Sequence, residues 1–251
     1  MKKYYFTIAS ILFLVIGLVS CSKEENKTQN QVASRPTEPM QNGEVQIGTQ
    51  VWMTKNLNTS KYSDGTPIPQ VTDQVVWANL TTGAWCYYSN IAANGTTYGK
   101  LYNWYAVAGI YNAASASDPA LRKKLAPTGW HVPTDNEWNI LIHYLDPNIN
   151  AQTNNNVAGG KMKSTGTTLW QPLNVDATNE SGFTGLPGGY RVLNGVFYYI
   201  GNNGYWWSSS EGVGTTHTEE AEQRYLTRYD GIAYGLLYFK KEGMSVRCIK
   251  D

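Results

Sequence analysis

Apolar positions divide this 251-residue chain into three regimes. Tyr4 to Val19 is almost wholly apolar, residues 22–43 hold only Val32, Ala33 and Met40 as apolar side chains, and from Glu44 short apolar runs alternate with stretches rich in Gly, Asn and Pro. In the third regime Val45, Ile47, Val51 and Met53 lie on odd positions around Gly48-Thr49-Gln50, which predicts a short hairpin. Ser63-Asp64-Gly65-Thr66-Pro67 predicts a turn, and Pro67 and Pro69 oppose regular structure until Val75-Val76-Trp77. Leu101, Trp104, Tyr105 and Ala108 fall at i, i+3, i+4 and i+7 and predict an amphipathic helix that ends near Gly109. Thr134 and Glu137 have the spacing of a capping box, in which the threonine hydroxyl accepts from a first-turn amide and the glutamate reaches back to the cap amide. Trp138, Leu141, Ile142 and Leu145 continue as one apolar stripe until Pro147 stops the helix. From Gly159 onward, runs such as Val196–Ile200 and Gly235–Phe239 stand between Gly and Asn, as short strands between long loops do. Two helices with short, mostly antiparallel strands and long loops predict an α+β domain over residues 44–251.

The first regime follows two lysines, Lys2 and Lys3, and ends in Leu18-Val19-Ser20-Cys21. It is short for a membrane span of ~20 residues and reads as an export signal over residues 1–20. The tetrapeptide resembles the bacterial lipobox, whose cysteine is acylated, so Cys21 is the expected lipid anchor. Residues 21–43 are too polar to bury a core and read as a flexible tether. Ser22-Lys23-Glu24-Glu25 resembles the surface-export signal of Bacteroidetes lipoproteins, which implies an outer-membrane lipid partner and a domain on the cell surface.

Charge and composition then narrow the chemistry. The net charge is +1, and removal of Lys2 and Lys3 leaves 18 basic against 19 acidic residues, or −1. Neither value makes an electrostatic footprint for nucleic acid. Charged residues make up 16%, but the 41% hydrophobic fraction suffices for a sizeable core. Nine Trp, all between Trp52 and Trp207, and 18 Tyr stand against five Phe. Beyond Cys21 two cysteines remain, Cys86 and Cys248. In an oxidising compartment they form either a bridge, worth about 3 to 5 kcal/mol, or two separate buried thiols; the bridge is the expectation.

Six ordered blocks carry a family resemblance: Gly48-Thr49-Gln50-Val51-Trp52-Met53 with Asn56-Leu57; Tyr98-Gly99-Lys100-Leu101-Tyr102-Asn103-Trp104; Gly129 to Trp138; Ser181-Gly182-Phe183 with Pro187-Gly188-Gly189-Tyr190-Arg191; Trp206-Trp207-Ser208-Ser209; and Ser245-Val246-Arg247-Cys248. Together they resemble the Fibrobacter succinogenes major paralogous domain, over essentially residues 44–251. The resemblance implies a secreted or surface C-type-lectin-like domain. It further implies that Val45–Met53 and Met244–Ile249 pair as neighbouring strands, that Trp104 and Trp138 are core, and that Arg191 and Arg247 are buried donors to loop carbonyls. The Pro-Thr-x-x-Glu-Trp helix start also resembles the formylglycine-generating enzyme branch. That branch uses a copper-binding cysteine pair near its carboxyl end, where this chain has Cys248 alone, so the activity does not carry over.

Residues with defined chemistry are sparse. His131, His143 and His217 are isolated, with neither His-Glu-x-x-His nor Cys-x-x-Cys spacing for zinc. There is no Gly-x-Ser-x-Gly elbow, and the stretch Gly160 to Thr165 lacks the first glycine and the Lys-Ser/Thr of a phosphate loop. Asp135, Glu137, Glu180 and Glu211 are the acids available to a glycan-processing hydrolase, the enzymatic alternative, and Glu137 is already occupied by the capping box. Calcium-dependent sugar motifs are absent, Gln171-Pro172-Leu173 being the nearest string. No metal or cofactor is expected, although oxygens near Asp176, Thr178, Asn179 and Glu180 offer a structural calcium a place.

A binding surface is what remains. Tyr205-Trp206-Trp207-Ser208-Ser209-Ser210-Glu211 between glycines reads as a long loop that presents large amphipathic rings, which Trp170, Tyr190 and Tyr225 would join. Trp206 and Trp207 either face a ligand or plug the core beneath the loop. The reading reached from sequence is a cell-surface lipoprotein whose non-catalytic lectin-like domain recognises a glycan or a protein ligand. Its alternatives are the hydrolase and a structural cell-envelope or pilus-like subunit.

Overall fold

The computed structural model describes residues 43–149 and 155–251. Cys21, the segment 1–20 and all of 21–43 but its last residue lie outside the described residues. In chain order the elements are β1 (Glu44–Ile47), β2 (Gln50–Met53), α1 (Gln74–Ala78), β3 (Trp85–Cys86), α2 (Ala92–Tyr98), β4 (Leu101–Tyr102), α3 (Trp104–Val107), α4 (Ala113–Ser117), β5 (Trp130–His131), α5 (Asp135–Leu145), α6 (Ala158–Met162), β6 (Gly188–Arg191), β7 (Phe197–Ile200), β8 (Asn203–Glu211), β9 (Glu220–Thr227), β10 (Ala233–Phe239) and β11 (Ile249–Lys250). The fold is α+β. Among the described residues no helix is long and apolar enough to cross a membrane.

Both ends of the domain meet in one sheet, ordered β1-β2-β11-β5. The predicted hairpin forms, Val45 opposite Trp52 and Ile47 opposite Gln50, with Gly48 at φ +61 supplying the left-handed turn. Ile249 then pairs with Trp52, and Leu57 N donates to Val246 O at 2.8 Å, so the strands at either end of the domain are neighbours as expected. A second, five-stranded sheet runs β10-β9-β8-β6-β7; its pairs are antiparallel except for a single parallel bridge between β6 and β8. β3 and β4 form a third, two-stranded pair.

The helix expected over residues 101–108 is shorter than its spacing implies. Leu101 and Tyr102 pair with Cys86 and Trp85 as strand, and Asn103 caps a helix of only four residues by accepting from Ala106 N. All four of those helical residues are buried, so the segment has no polar face and is plugged into the core rather than laid on it. In α5 the capping box forms, with Thr134 Oγ1 accepting from Glu137 N and Glu137 Oε2 accepting from Thr134 N. Trp138, Leu141, Ile142 and Leu145 are its buried face.

The core is aromatic and divided by β8. Successive strand residues point to opposite sides, so Trp206 packs with Trp52, Trp138 and Phe183, while Trp207 packs with Tyr102, Trp104 and Tyr205. Trp52 and Trp138 stand 4.7 Å apart between centroids, and Phe183 lies 5.7 Å from Trp206 with its plane at 77°. Two arginines tie loops to this core. Arg247 donates to Met53 O and Phe183 O with its plane over the Phe183 ring, and Arg191 donates to Val71 O, Thr72 O and Gly195 O between Trp77 and Phe197. A lysine does similar work. Lys163, fully buried, donates to Val175 O, Thr227 O and Asp230 O.

The expected bridge is not present: Cys86 and Cys248 are both free and buried. Cys86 sits with Trp77, Tyr88 and Leu101, whereas Cys248 packs in the separate cluster of Tyr102, Trp104 and Trp207. Burial pushes both thiols up to about 12.

Candidate ligand-binding site

Strand alternation gives one side of the five-stranded sheet an unusual row. Tyr205 on β8 lies opposite Tyr225 on β9, which in turn lies opposite Tyr234 on β10. The rings follow the backbone register: Tyr205 and Tyr225 are stacked at 5.4 Å, and Tyr225 and Tyr234 at 4.6 Å with planes 9° apart. Tyr190 on β6 extends the row to 4.6 Å from Tyr205, Tyr238 closes to 5.9 Å from Tyr190, and Tyr199 stacks on Tyr190 at 6.1 Å.

Exposure is graded across this cluster. Tyr190 and Tyr205 are buried at its centre, Tyr225, Tyr234 and Tyr238 are half-buried, and Tyr198 and Tyr199 are about half exposed at its rim. Tyr199 adopts φ +67 within β7, a left-handed conformation that a bulky residue rarely takes. Burial, then the charge of Glu242 and of neighbouring phenols, raises the Tyr190 hydroxyl and takes Tyr238 to about 12. The centre of the cluster is thus a group of neutral hydroxyls. Two of its phenols have fixed partners, Tyr205 accepting from Asn203 Nδ2 at 2.8 Å and Tyr234 donating to Asp230 Oδ2 at 2.9 Å.

Of the seven residues expected to bind ligand, the structure brings three together here: Tyr190, Tyr205 and Tyr225. Of the other four, the three tryptophans are corrections and Glu211 lies apart from the cluster. Residues 203–211 are a nine-residue strand, the central one of its sheet, and not a loop. Trp206 and Trp207 are therefore core, their indole N–H groups spent on Asn56 Oδ1 and Tyr102 O. Trp170 is also buried, with Nε1 donating to Ser164 Oγ. Glu211 lies at the far end of β8, with Arg122 at 3.5 Å and Lys240 at 3.3 Å.

Tyr199, Tyr234 and Tyr238 were not anticipated, nor were Gln223 on the same side of β9 and Glu242 in the turn after β10. Tyr234, Leu236 and Tyr238 do alternate along one strand, a signal present in the sequence, but their neighbours across the sheet are not encoded locally.

A second feature is a cavity of about 220 Å³ between α5 and the outer strands, lined by Asp135, Asn139, Glu222 and Arg224. Arg224 Nη2 contacts Asp135 Oδ1 at 2.5 Å and donates to Asn139 Oδ1 at 2.8 Å. Burial, then the charge of Asp135, raises Glu222. The four residues considered for calcium are largely engaged locally: Asn179 bonds Thr184 through both ends of its amide, and Glu180 pairs with Lys161 at 3.2 Å. Among the described residues no group of three or more His, Cys, Asp or Glu is placed to hold a metal.

The family model of the Fibrobacter succinogenes major domain matches residues 45–250. No curated protein and no solved structure matches the chain.

Proposed function

The chain belongs to the Fibrobacter succinogenes major domain family, and from that premise we propose that it is a cell-surface lipoprotein, anchored in the outer membrane through Cys21, whose lectin-like domain binds a glycan or protein ligand without chemistry. The observation that carries the reading is the tyrosine row, continuous from the stacked Tyr225 and Tyr234 to the half-exposed rim at Tyr198 and Tyr199. Tyrosine supplies contact area at low entropic cost and offers a hydroxyl at its outer end, which suits a recognition face. The test is capture on arrays of glycans and extracellular proteins, comparing the wild type with Tyr199→Ala and Tyr225→Ala variants of equal thermal stability. Loss of capture in both variants supports the reading; absence of any captured ligand, or capture unchanged in both, sinks it.

One observation favours the hydrolase alternative. Asp135 and Glu222 border the same small cavity, Asp135 held by Arg224 and Glu222 raised toward its acid form. Release of reducing ends from polysaccharides by the wild type, abolished in Glu222→Gln, would replace the binding reading with this one.

A further inference from the structure

Gln223 and Glu242 are buried polar side chains near the tyrosine cluster that carry atoms without a hydrogen-bond partner. Gln223 is fully buried, and neither its amide oxygen nor its amide nitrogen has a partner. Glu242 is 5% exposed, and its Oε2 is likewise buried and unpartnered. Strand register puts Gln223 between Ala221 and Tyr225, on the tyrosine side of β9, opposite Trp207 and next in line to the pair of Ala221 with Tyr238. Glu242 closes the turn after β10, where its amide donates to Phe239 O and its carboxyl, once ionised in alkali, acts on the phenols of Tyr190 and Tyr238. Buried polar atoms are satisfied almost everywhere in folded proteins, so these three set the two side chains apart.

The donor and acceptor inventory selects the group that would satisfy them. Gln223 offers two N–H donors and one acceptor, and Glu242, a neutral acid at neutral pH, offers a carboxyl that donates or accepts. An ammonium ion only donates and leaves the Gln223 amide hydrogens unmatched. A sulfate only accepts and leaves the Gln223 amide oxygen unmatched. A hydroxyl both donates and accepts, and a sugar ring presents several hydroxyls beside C–H faces that pack on aromatic rings.

We propose that the tyrosine cluster binds a neutral pyranose unit of a glycan, with Gln223 and Glu242 hydrogen-bonding its hydroxyls and Tyr190, Tyr205 and Tyr238 packing against its ring. The inference rests on the tyrosine face being the binding face and names the ligand class for it. Burial pushes the Glu242 carboxyl up to about 8, which keeps the cluster uncharged at neutral pH and matches an uncharged ligand. The rings at the rim of the cluster are the half-buried Tyr225 and Tyr238 and the exposed Tyr199.

Saturation-transfer NMR on the full chain tests this, with methyl α-D-mannopyranoside, methyl β-D-galactopyranoside and N-acetylglucosamine as neutral probes and glucosamine and glucuronate as charged ones. At least one neutral probe is expected to bind, and Gln223→Leu and Glu242→Gln are each expected to weaken it about tenfold or more. Gln223→Leu should meanwhile raise Tm by about 2–4 °C or more, because it removes an unsatisfied buried amide. That opposition of affinity and stability separates a ligand-binding amide from a packing residue. Failure of every neutral probe, stronger binding of a charged probe, or unchanged affinity in both variants overturns the proposal. Array capture lost in Tyr199→Ala and Tyr225→Ala but kept in Gln223→Leu and Glu242→Gln overturns the pyranose assignment while leaving the binding face intact; capture unchanged in all four overturns both.

Discussion

Asn56 Oδ1 accepts from Arg247 twice, from Nη2 at 2.7 Å and from Nε at 3.1 Å, and the same oxygen takes Trp206 Nε1 at 2.8 Å. One amide oxygen thus joins the β2 end of the first sheet to the guanidinium near the carboxyl terminus and to the central strand of the second. Its nitrogen is equally committed, to Tyr98 O at 2.8 Å and Ser245 Oγ at 3.2 Å. Among the described residues no carboxylate pairs with Arg247, which is fully buried, so its charge depends on this oxygen and on the carbonyls of Met53 and Phe183.

Asn56→Ala is accordingly expected to destabilise the domain by about 3–5 kcal/mol, since it strands a buried guanidinium and an indole N–H together. Asn56→Ala with Arg247→Met should recover a substantial part of that loss, because an apolar side chain of similar volume removes the orphaned charge. Urea unfolding of the single and double variants measures the coupling. Simple additivity of the two losses would contradict the hub described here.

A pH prediction attaches to His131, whose Nε2 lies 2.8 Å from Glu137 Oε1 and whose Nδ1 lies 2.7 Å from Asp251 Oδ1. Burial alone would lower His131, but the hydrogen bonds and charges of the two carboxylates outweigh it and raise the ring above its usual 6.5. Burial of Glu137 acts upward, and its bonds to Thr134 and His131 outweigh that, holding it below 4.5. A raised histidine adds stability that is complete below 6.5 and lost as pH climbs through its folded value; a lowered glutamate adds stability that is complete above 4.5 and lost as pH falls through its own. The clamp therefore contributes most between about 4.5 and 6.5. The stability difference between wild type and His131→Asn should be greatest there, at about 0.2–1 kcal/mol given the exposure of the pair, and should shrink above neutrality. A difference that grows toward alkaline pH would contradict this sign.

Cys86 and Cys248 supply a test in the opposite redox direction from the bridge expected of two cysteines in an oxidising compartment. In a chain carrying Cys21→Ser, no thiol is expected to react with Ellman's reagent in the native state, and two should react in guanidinium, because both are buried and pushed up to about 12. Dithiothreitol should leave Tm unchanged. A drop of several degrees on reduction would mean that the two are bridged after all.

What the sequence revealed and what it concealed follow a physical division. The first hairpin and α5 were legible because their signals are local: a turn at Gly48-Thr49 after the alternating Val45 and Ile47, although on β2 it is Gln50 and Trp52 rather than Val51 and Met53 that face inward, and a threonine three residues before a glutamate ahead of an apolar stripe. The short α3 was misread because Leu101, Trp104 and Tyr105 satisfy helical spacing while being buried for different reasons, one as strand and two as helix. The tyrosine cluster was only half legible. Tyr205, Tyr225 and Tyr234 become neighbours through strand pairing between segments many residues apart, and no spacing along the chain encodes which strands will pair. The two cysteines illustrate the same gap, since two thiols in one chain carry no information about their separation in space.

Trp206 and Trp207 are where that gap bears on experiment. A Trp-Trp-Ser-Ser run flanked by glycines has the composition of a recognition loop, yet the segment is the central strand of a sheet and its two indoles anchor opposite halves of the core. Trp206→Ala and Trp207→Ala should each cost about 3–5 kcal/mol, the usual range for truncating a buried aromatic side chain. Tyr199→Ala removes a ring already half in water and should cost well under 1 kcal/mol, within the span of ordinary surface changes. Ligand capture should therefore follow the folded fraction in the tryptophan variants and fall at full foldedness in the tyrosine variant. Thermal unfolding recorded on the same samples distinguishes the two. Capture lost in Trp207→Ala at wild-type stability would return the tryptophans to the binding surface.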